Sequence, residues 1–175
     1  IFIVQKMQRR LETKKLARFL NKLAHHMSNN GHVPWCFKEN WMGDETPVYK
    51  NNYVPVIDAN MQFIIMAHWL YEKDDHGSNS LYLYVQRAWQ WLDISIANDT
   101  LHEKIGASWE TSREHNGILL LSNVLMIRTL RVMELIHMYE KNERQKKLFV
   151  KMHERAVSTW TPEIYKTQET LPKIL

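Results

Sequence analysis

The spacing of its apolar residues most constrains what this chain can fold into. Over most of the 175 residues, apolar side chains recur every three or four positions, which is the period of an α-helix with one buried face. Helices are therefore predicted over residues 5–27, 58–71, 80–96, 118–139 and from the turn at 141–142 to about 159. A further helix is predicted to open at Thr161, with Pro162 at its first helical position.

The connections between these predicted helices alternate in length. Residues 31–56 and 97–116 form long connections, whereas 73–78 and 141–142 form short polar turns. In a series of antiparallel helices every second connection lies at the same end, so the long connections should gather at one face. The helices that follow the long connections are the most apolar, and we expect them to form an inner layer. The predicted fold is all-α, built from antiparallel helical hairpins, with no sheet beyond a short hairpin within 31–56.

Composition and charge exclude several classes of protein. With 45% hydrophobic and 24% charged residues the chain has globular proportions, and its single cysteine, Cys36, cannot form an internal disulfide. The net charge of +4 is too small to indicate nucleic-acid binding, and no apolar run approaches the roughly 20 residues that span a bilayer. The basic stretch 141–155 is interpreted as an exposed outer-helix face. We expect no nucleic-acid or membrane partner, and a cytoplasmic location because nothing in the pattern indicates secretion.

Three stretches carry a resemblance to a known superfamily. They are Leu16-Ala17-Arg18-Phe19-Leu20 with Asn30-Gly31-His32-Val33-Pro34, then Tyr53-Val54-Pro55-Val56-Ile57-Asp58-Ala59-Asn60-Met61-Gln62-Phe63, and Gly106-Ala107-Ser108-Trp109-Glu110-Thr111-Ser112. In order and spacing they resemble a helix with its turn, the entry to an inner helix, and a Trp-acid loop of the six-hairpin glycosidases. These (α/α)6 toroids include glucoamylase-like enzymes and the amylo-α-1,6-glucosidase domain of glycogen debranching enzymes. The resemblance covers about residues 16–139.

The resemblance implies a toroid of twelve helices, whereas this chain offers five or six. Twelve helices with alternating long and short connections need roughly 300 residues or more. We therefore expect residues 1–175 to be a single domain that forms about half of an (α/α)6 catalytic domain. The remainder of the toroid is then expected in the same or a longer parent chain.

Glu110 is the predicted general acid. Glycoside cleavage needs one carboxylic acid that protonates the leaving oxygen and a second carboxyl group opposite it. Trp109 adjoins Glu110, and an indole beside a carboxyl group desolvates it, which favours the protonated form that donates. The resemblance implies the same role. Glu114 is the competing acid, and a surface or helix-capping glutamate is the alternative for Glu110. In the families resembled the second carboxylate lies in a later loop, so we expect it outside this chain.

Substrate binding is predicted at Asp58 and at the side chains of the long connections. For Asp58 the resemblance implies a carboxylate that binds sugar hydroxyls, and a plain helix N-cap is the alternative. Aromatic rings could pack on the apolar faces of sugars, or could instead plug the mouth of the toroid. The predicted substrate-binding residues are Asp58, Trp35, Trp41, Tyr53, Trp109, Arg113 and His115.

No cofactor or metal is expected. His25 and His26 are neighbours on a predicted helix, so they cannot both face one ion. The predicted function is that of a glycoside hydrolase acting on an α-linked glucan or related oligosaccharide by general acid/base hydrolysis with paired carboxylates. One alternative is a non-catalytic helical scaffold that binds carbohydrate or protein through its long-loop face. Another is a different α-toroid enzyme, such as a lyase, an epimerase or a terpene-type cyclase.

Overall fold

Residues 2–39, 44–51, 54–73, 81–98, 100–102 and 120–170 are described by the computed structural model. Within them lie five helices: α1 (Phe2–His25), α2 (Asp58–Glu72), α3 (Tyr82–Asp93), α4 (Leu120–Tyr139) and α5 (Glu143–Thr170). The described part of the chain is mostly helical, which confirms the predicted all-α class. In these ranges there is no helix whose length and apolar character would allow it to cross a membrane.

Short antiparallel strand pairs lie within the two long connections. β1 (Cys36–Glu39) pairs with β2 (Glu45–Val48), β3 (Lys50–Asn51) with β4 (Val54–Pro55), and β5 (Ile96–Ala97) with β6 (Thr100–Leu101). The expectation of no sheet beyond one hairpin within 31–56 is therefore wrong, because a second pair lies in that segment and a third outside it. The third pair turns at Asn98, whose φ of 51° asparagine tolerates better than most residues. Two-residue strands are too short to show a strand period in the sequence.

Contacts near the ends of the helices give their relative directions. The ring of Tyr71, near the end of α2, stacks on that of Tyr139, the last residue of α4, with centroids 5.9 Å apart, so these two inner helices run parallel. α3 runs antiparallel to them, since the hydroxyl of Tyr82 at its start lies 3.0 Å from Nδ1 of His137 near the end of α4. On the outside, α1 packs against α2 and α5 packs against α4.

The core lies between the inner helices and the inward faces of the outer ones. On α3 the buried residues are Val85, Ala88, Trp89 and Leu92, which have the spacing of one helix face. α2 is buried over most of its circumference, because α1, α3 and α4 all pack against it. Its fully enclosed apolar side chains are Met61, Phe63, Ile64, Ala67 and Leu70.

Buried asparagines tie the long connections to the inner helices. In the first turn of α2, Oδ1 of Asn60 accepts a hydrogen bond from the backbone N–H of Val33 (3.0 Å), while Nδ2 donates to the carbonyls of Gly31 and Ala88 (both 2.9 Å). In the first turn of α4, Asn123 bonds both the N–H (2.7 Å) and the carbonyl (3.1 Å) of Leu101. Both side chains are fully buried, so they satisfy backbone groups that water cannot reach.

Replacing Asn60 with alanine is expected to destabilise the fold by about 1–3 kcal/mol, because buried backbone groups lose their partners. Chemical denaturation followed by circular dichroism measures the change in the free energy of unfolding. Asn21→Ala is the matched control, since Asn21 is an exposed residue of α1 and its loss leaves no buried group unpaired. Equal stabilities of the two variants would contradict a bracing role for Asn60.

α5 differs from its prediction, because one continuous helix runs from Glu143 to Thr170 where a break between 159 and 161 was expected. Pro162 lies inside this helix and not at the start of a new one. Proline inside a helix removes one backbone N–H donor and crowds the carbonyl four residues earlier, so it weakens α5 locally, but the helix continues to Thr170. Just before it, the hydroxyls of Thr159 and Thr161 donate to the carbonyls of Arg155 (3.0 Å) and Val157 (2.7 Å), four residues back.

Candidate functional site

A cleft of about 420 Å³ lies between α1 and the first turns of α2. Apolar side chains form most of its wall, and Asp58 and Gln62 are its polar lining residues. Two aromatic rings border it and remain open to solvent, with Phe19 45% and Trp35 40% exposed. The complete lining is Phe19, Leu23, Pro34, Trp35, Asp58, Ala59, Gln62 and Met66.

The helical period explains why these residues share one wall. Asp58 and Gln62 are four residues apart on α2, as are Gln62 and Met66, so all three lie on one stripe of the helix. On α1, Phe19 and Leu23 have the same spacing. The remaining circumference of α2 is buried in the core, which leaves this stripe at the N-terminal half of the helix as the floor of the cleft.

Trp35 is held at the cleft by the connection between α1 and α2. Its backbone N–H donates to the carbonyl of Val48 (2.9 Å), which continues the ladder of the β1–β2 pair. The hydroxyl of Tyr49 donates to the carbonyl of His26 and so fastens the same hairpin to the end of α1. Burial raises the pKa of Tyr49, which keeps this donor protonated.

Asp58 is the first residue of α2, and its side chain is only 6% exposed. The N-cap position belongs to Ile57, and no side-chain bond caps the helix, so the alternative of Asp58 as a plain N-cap is wrong. The difference arises because Ile57 already has a helical backbone conformation, with φ −75° and ψ −40°, which moves the helix boundary by one residue. The positive end of the helix dipole stabilises a carboxylate at this position.

His32 supports the wall of the site from behind. Its ring stacks on that of Trp91, with centroids 4.1 Å apart and planes 2° from parallel, and Nε2 lies 3.2 Å from the carbonyl oxygen of Val56. The side chain is buried and is not among the residues that line the cleft. The sequence motif contained His32 without indicating this packing role.

A second group of ionisable side chains lies at the other end of α2. Burial lowers the pKa of His68, and this outweighs the nearby carboxylate of Glu72, whose Oε1 is 3.9 Å from Nδ1. Burial also raises the pKa of Tyr71, and the carboxylate of Glu140 adds to that effect. His68 is ten residues from Asp58, roughly 15 Å along the helix, so this group is separate from the cleft.

Of the predicted site residues, the structure brings Asp58 and Trp35 together in the cleft. The others fall outside the described residues and stay predictions: Glu110, Glu114, Trp41, Tyr53, Trp109, Arg113 and His115. Six of the eight lining residues were not predicted as site residues: Phe19, Leu23, Pro34, Ala59, Gln62 and Met66. For Gln62 a signal existed, since it lies four residues after Asp58 in a predicted helix and therefore on the same face.

Within the described ranges, no three or more His, Cys, Asp or Glu side chains are grouped as ligands for a metal ion. No protein-family model matches the chain, and no curated protein matches it either.

Proposed function

We propose that the cleft binds a segment of an oligosaccharide and that the chain contributes to a glycoside hydrolase acting on an α-linked glucan. The observation that carries the proposal is the meeting of Trp35 and Asp58 in one cleft, although 22 residues separate them in the sequence. Residue type and position in a long connection predict sugar binding at Trp35, and the resemblance implies it for Asp58. A cytoplasmic location is part of the same proposal.

The lining has the two kinds of group that sugars require. The half-exposed ring of Trp35 offers an apolar face on which the C–H side of a pyranose can pack. Asp58 and Gln62 supply a carboxylate that accepts hydrogen bonds from hydroxyl groups and an amide that both donates and accepts. A mostly apolar cleft with a few polar groups on one side binds a ligand in one orientation.

Catalysis in this proposal depends on Glu110 as the general acid, with Glu114 as the competing residue. The acid protonates the leaving oxygen while the second carboxyl group acts from the opposite side of the sugar. The proposed architecture is the (α/α)6 toroid, in which α2 and α4 are inner helices. Their parallel packing and the outer positions of α1, α3 and α5 support this assignment.

The alternative is a non-catalytic helical scaffold that binds carbohydrate through the same cleft. The described lining residues bear on sugar binding alone, because the predicted acid Glu110 lies outside the described residues. Sugar binding by Trp35, Asp58 and Gln62 does not depend on a second carboxylate. Binding and hydrolysis are therefore separate tests.

The binding test titrates the 175-residue chain with maltoheptaose, an α-linked glucose oligosaccharide, by isothermal titration calorimetry. We expect Trp35→Ala to weaken the affinity about 10-fold, because the ring face is lost. Asp58→Asn is expected to weaken it by a similar factor, because a charge-assisted hydrogen bond becomes a neutral one.

Trp69→Ala is the matched control, since Trp69 lies on the same helix, is 47% exposed, and is not among the residues lining the cleft. Its affinity for maltoheptaose should equal that of the unaltered chain. Equal losses in Trp35→Ala and Trp69→Ala, or no binding by the unaltered chain, would overturn the assignment of the cleft. Binding by a protein that hydrolyses no α-glucan would favour the scaffold alternative.

A further inference from the structure

The net charge of the chain is concentrated on one outer helix. Residues 141–155 contain six Lys and Arg side chains and two Glu side chains. The other 160 residues contain 17 basic and 17 acidic side chains, so their formal charges cancel. The whole +4 of the chain therefore lies on 15 consecutive residues at the start of α5 and its preceding turn.

Four of these basic residues lie on one exposed face of α5, which we call the basic stripe: Arg144, Lys147, Lys151 and Arg155. All four are exposed, and their spacing of three, four and four residues keeps them within about 80° of the helix circumference. The stripe is roughly 16 Å long. The opposite side of α5 is buried, and there Phe149 stacks on His137 of α4 with ring centroids 5.2 Å apart.

One apolar residue and one acidic residue lie beside the stripe. Leu148 lies at the edge of the stripe, four residues after Arg144, and is 49% exposed. In the described part of the chain, no carboxylate forms an ion pair with Arg144, Lys147 or Lys151. Glu154 is exposed beside the stripe, next to Arg155 in sequence. The basic charges are therefore accompanied by one exposed apolar side chain, which favours a partner with an apolar group, and by one carboxylate, which repels any acidic partner locally.

We propose that the basic stripe docks an acidic amphipathic helix of a protein partner, a function separate from sugar binding in the cleft. A helix with Glu or Asp every three or four residues matches the spacing of the stripe, because both have the same rise per residue. An apolar side chain on that helix covers Leu148. A nucleic-acid backbone fits less well, since its phosphates gain nothing from contact with Leu148.

The test uses the full 175-residue chain and a synthetic alanine-based helical peptide. The peptide has four Glu residues spaced three, four and four apart and one Leu between them. Nuclear magnetic resonance titration of the ¹⁵N-labelled chain locates the binding surface and measures the affinity. We expect shifts confined to α5, and an affinity that falls as salt rises from about 0.05 M to about 0.5 M, because exposed charges are screened. The same peptide with Gln in place of Glu should not bind.

Charge reversal tests the stripe itself. Lys147→Glu with Lys151→Glu is expected to weaken peptide binding about 10-fold or more, since attraction becomes repulsion at two positions. Lys14→Glu with Lys15→Glu is the matched control, because it makes the same charge change on the exposed face of α1 and should alter binding less than about 2-fold. Four results would each overturn the proposal. Two concern the comparisons: equal effects of the two double variants, or equal binding of the Gln and Glu peptides. The other two are tighter binding of a short RNA duplex and no binding of the Glu peptide.

Discussion

Glu110→Gln is expected to lower kcat for hydrolysis of an α-linked glucan by about 10²–10⁴-fold, the usual contribution of general acid catalysis. Glutamine keeps the size and most hydrogen bonds of glutamate but cannot protonate the leaving oxygen. Substrate binding and thermal stability should therefore change little, and the loss should appear in kcat and not in KM. The measurement is steady-state kinetics on the protein expressed from its full reading frame, with calorimetry as the check on binding.

Two further variants separate the proton donor from its neighbours. Glu114→Gln should leave kcat nearly unchanged if Glu110 is the acid, whereas an unaltered kcat in Glu110→Gln would move that role to Glu114. Asp58→Asn should raise KM more than Glu110→Gln does, because Asp58 lines the cleft and contacts bound sugar in the proposal. If the unaltered protein hydrolyses no α-glucan, that result would favour the alternative function of a non-catalytic scaffold.

The helices could be predicted because their signal is local. The i, i+3, i+4 spacing of Val85, Ala88 and Trp89 is visible in the sequence and is the face that α3 buries. Helix ends were less predictable, since they depend on individual backbone angles. Ile57 adopts a helical conformation that places Asp58 inside the helix, and α5 continues through Pro162 where residue preferences indicate a boundary.

The candidate site was predictable only in part. Residue type and position in a long connection predict Trp35, the resemblance implies Asp58, and both residues line one cleft. Phe19 was not predicted as a site residue, because the sequence of an amphipathic helix does not show which apolar residue will stay exposed, as Phe19 does at 45%. The role of Asn60 was also hidden, since its partners Gly31 and Val33 lie 29 and 27 residues earlier. Such contacts depend on how helices pack and leave no short-range pattern.

Gly31→Ala is expected to destabilise the fold by about 2–5 kcal/mol, through two effects that add. Gly31 has a φ of +92°, a conformation that residues with a side chain rarely adopt. A Cβ at this position would also lie 2.8 Å from the carbonyl carbon of Arg87 and closer still to its oxygen. That carbonyl belongs to the middle of α3, so it cannot move aside without disturbing the helix.

The same glycine connects the fold to the candidate site. Its carbonyl accepts a hydrogen bond from Asn60, and the chain continues through His32 and Val33 to Trp35 at the cleft. Gly31→Ala should therefore lower the melting temperature by on the order of 10 °C and also weaken maltoheptaose binding at temperatures where the variant is folded. Differential scanning calorimetry and the titration measure the two effects. Asn29→Ala, an exposed neighbour in the same turn, is the control and should change neither. A melting temperature of Gly31→Ala within about 1 °C of the unaltered chain would show that the loop can move away from α3.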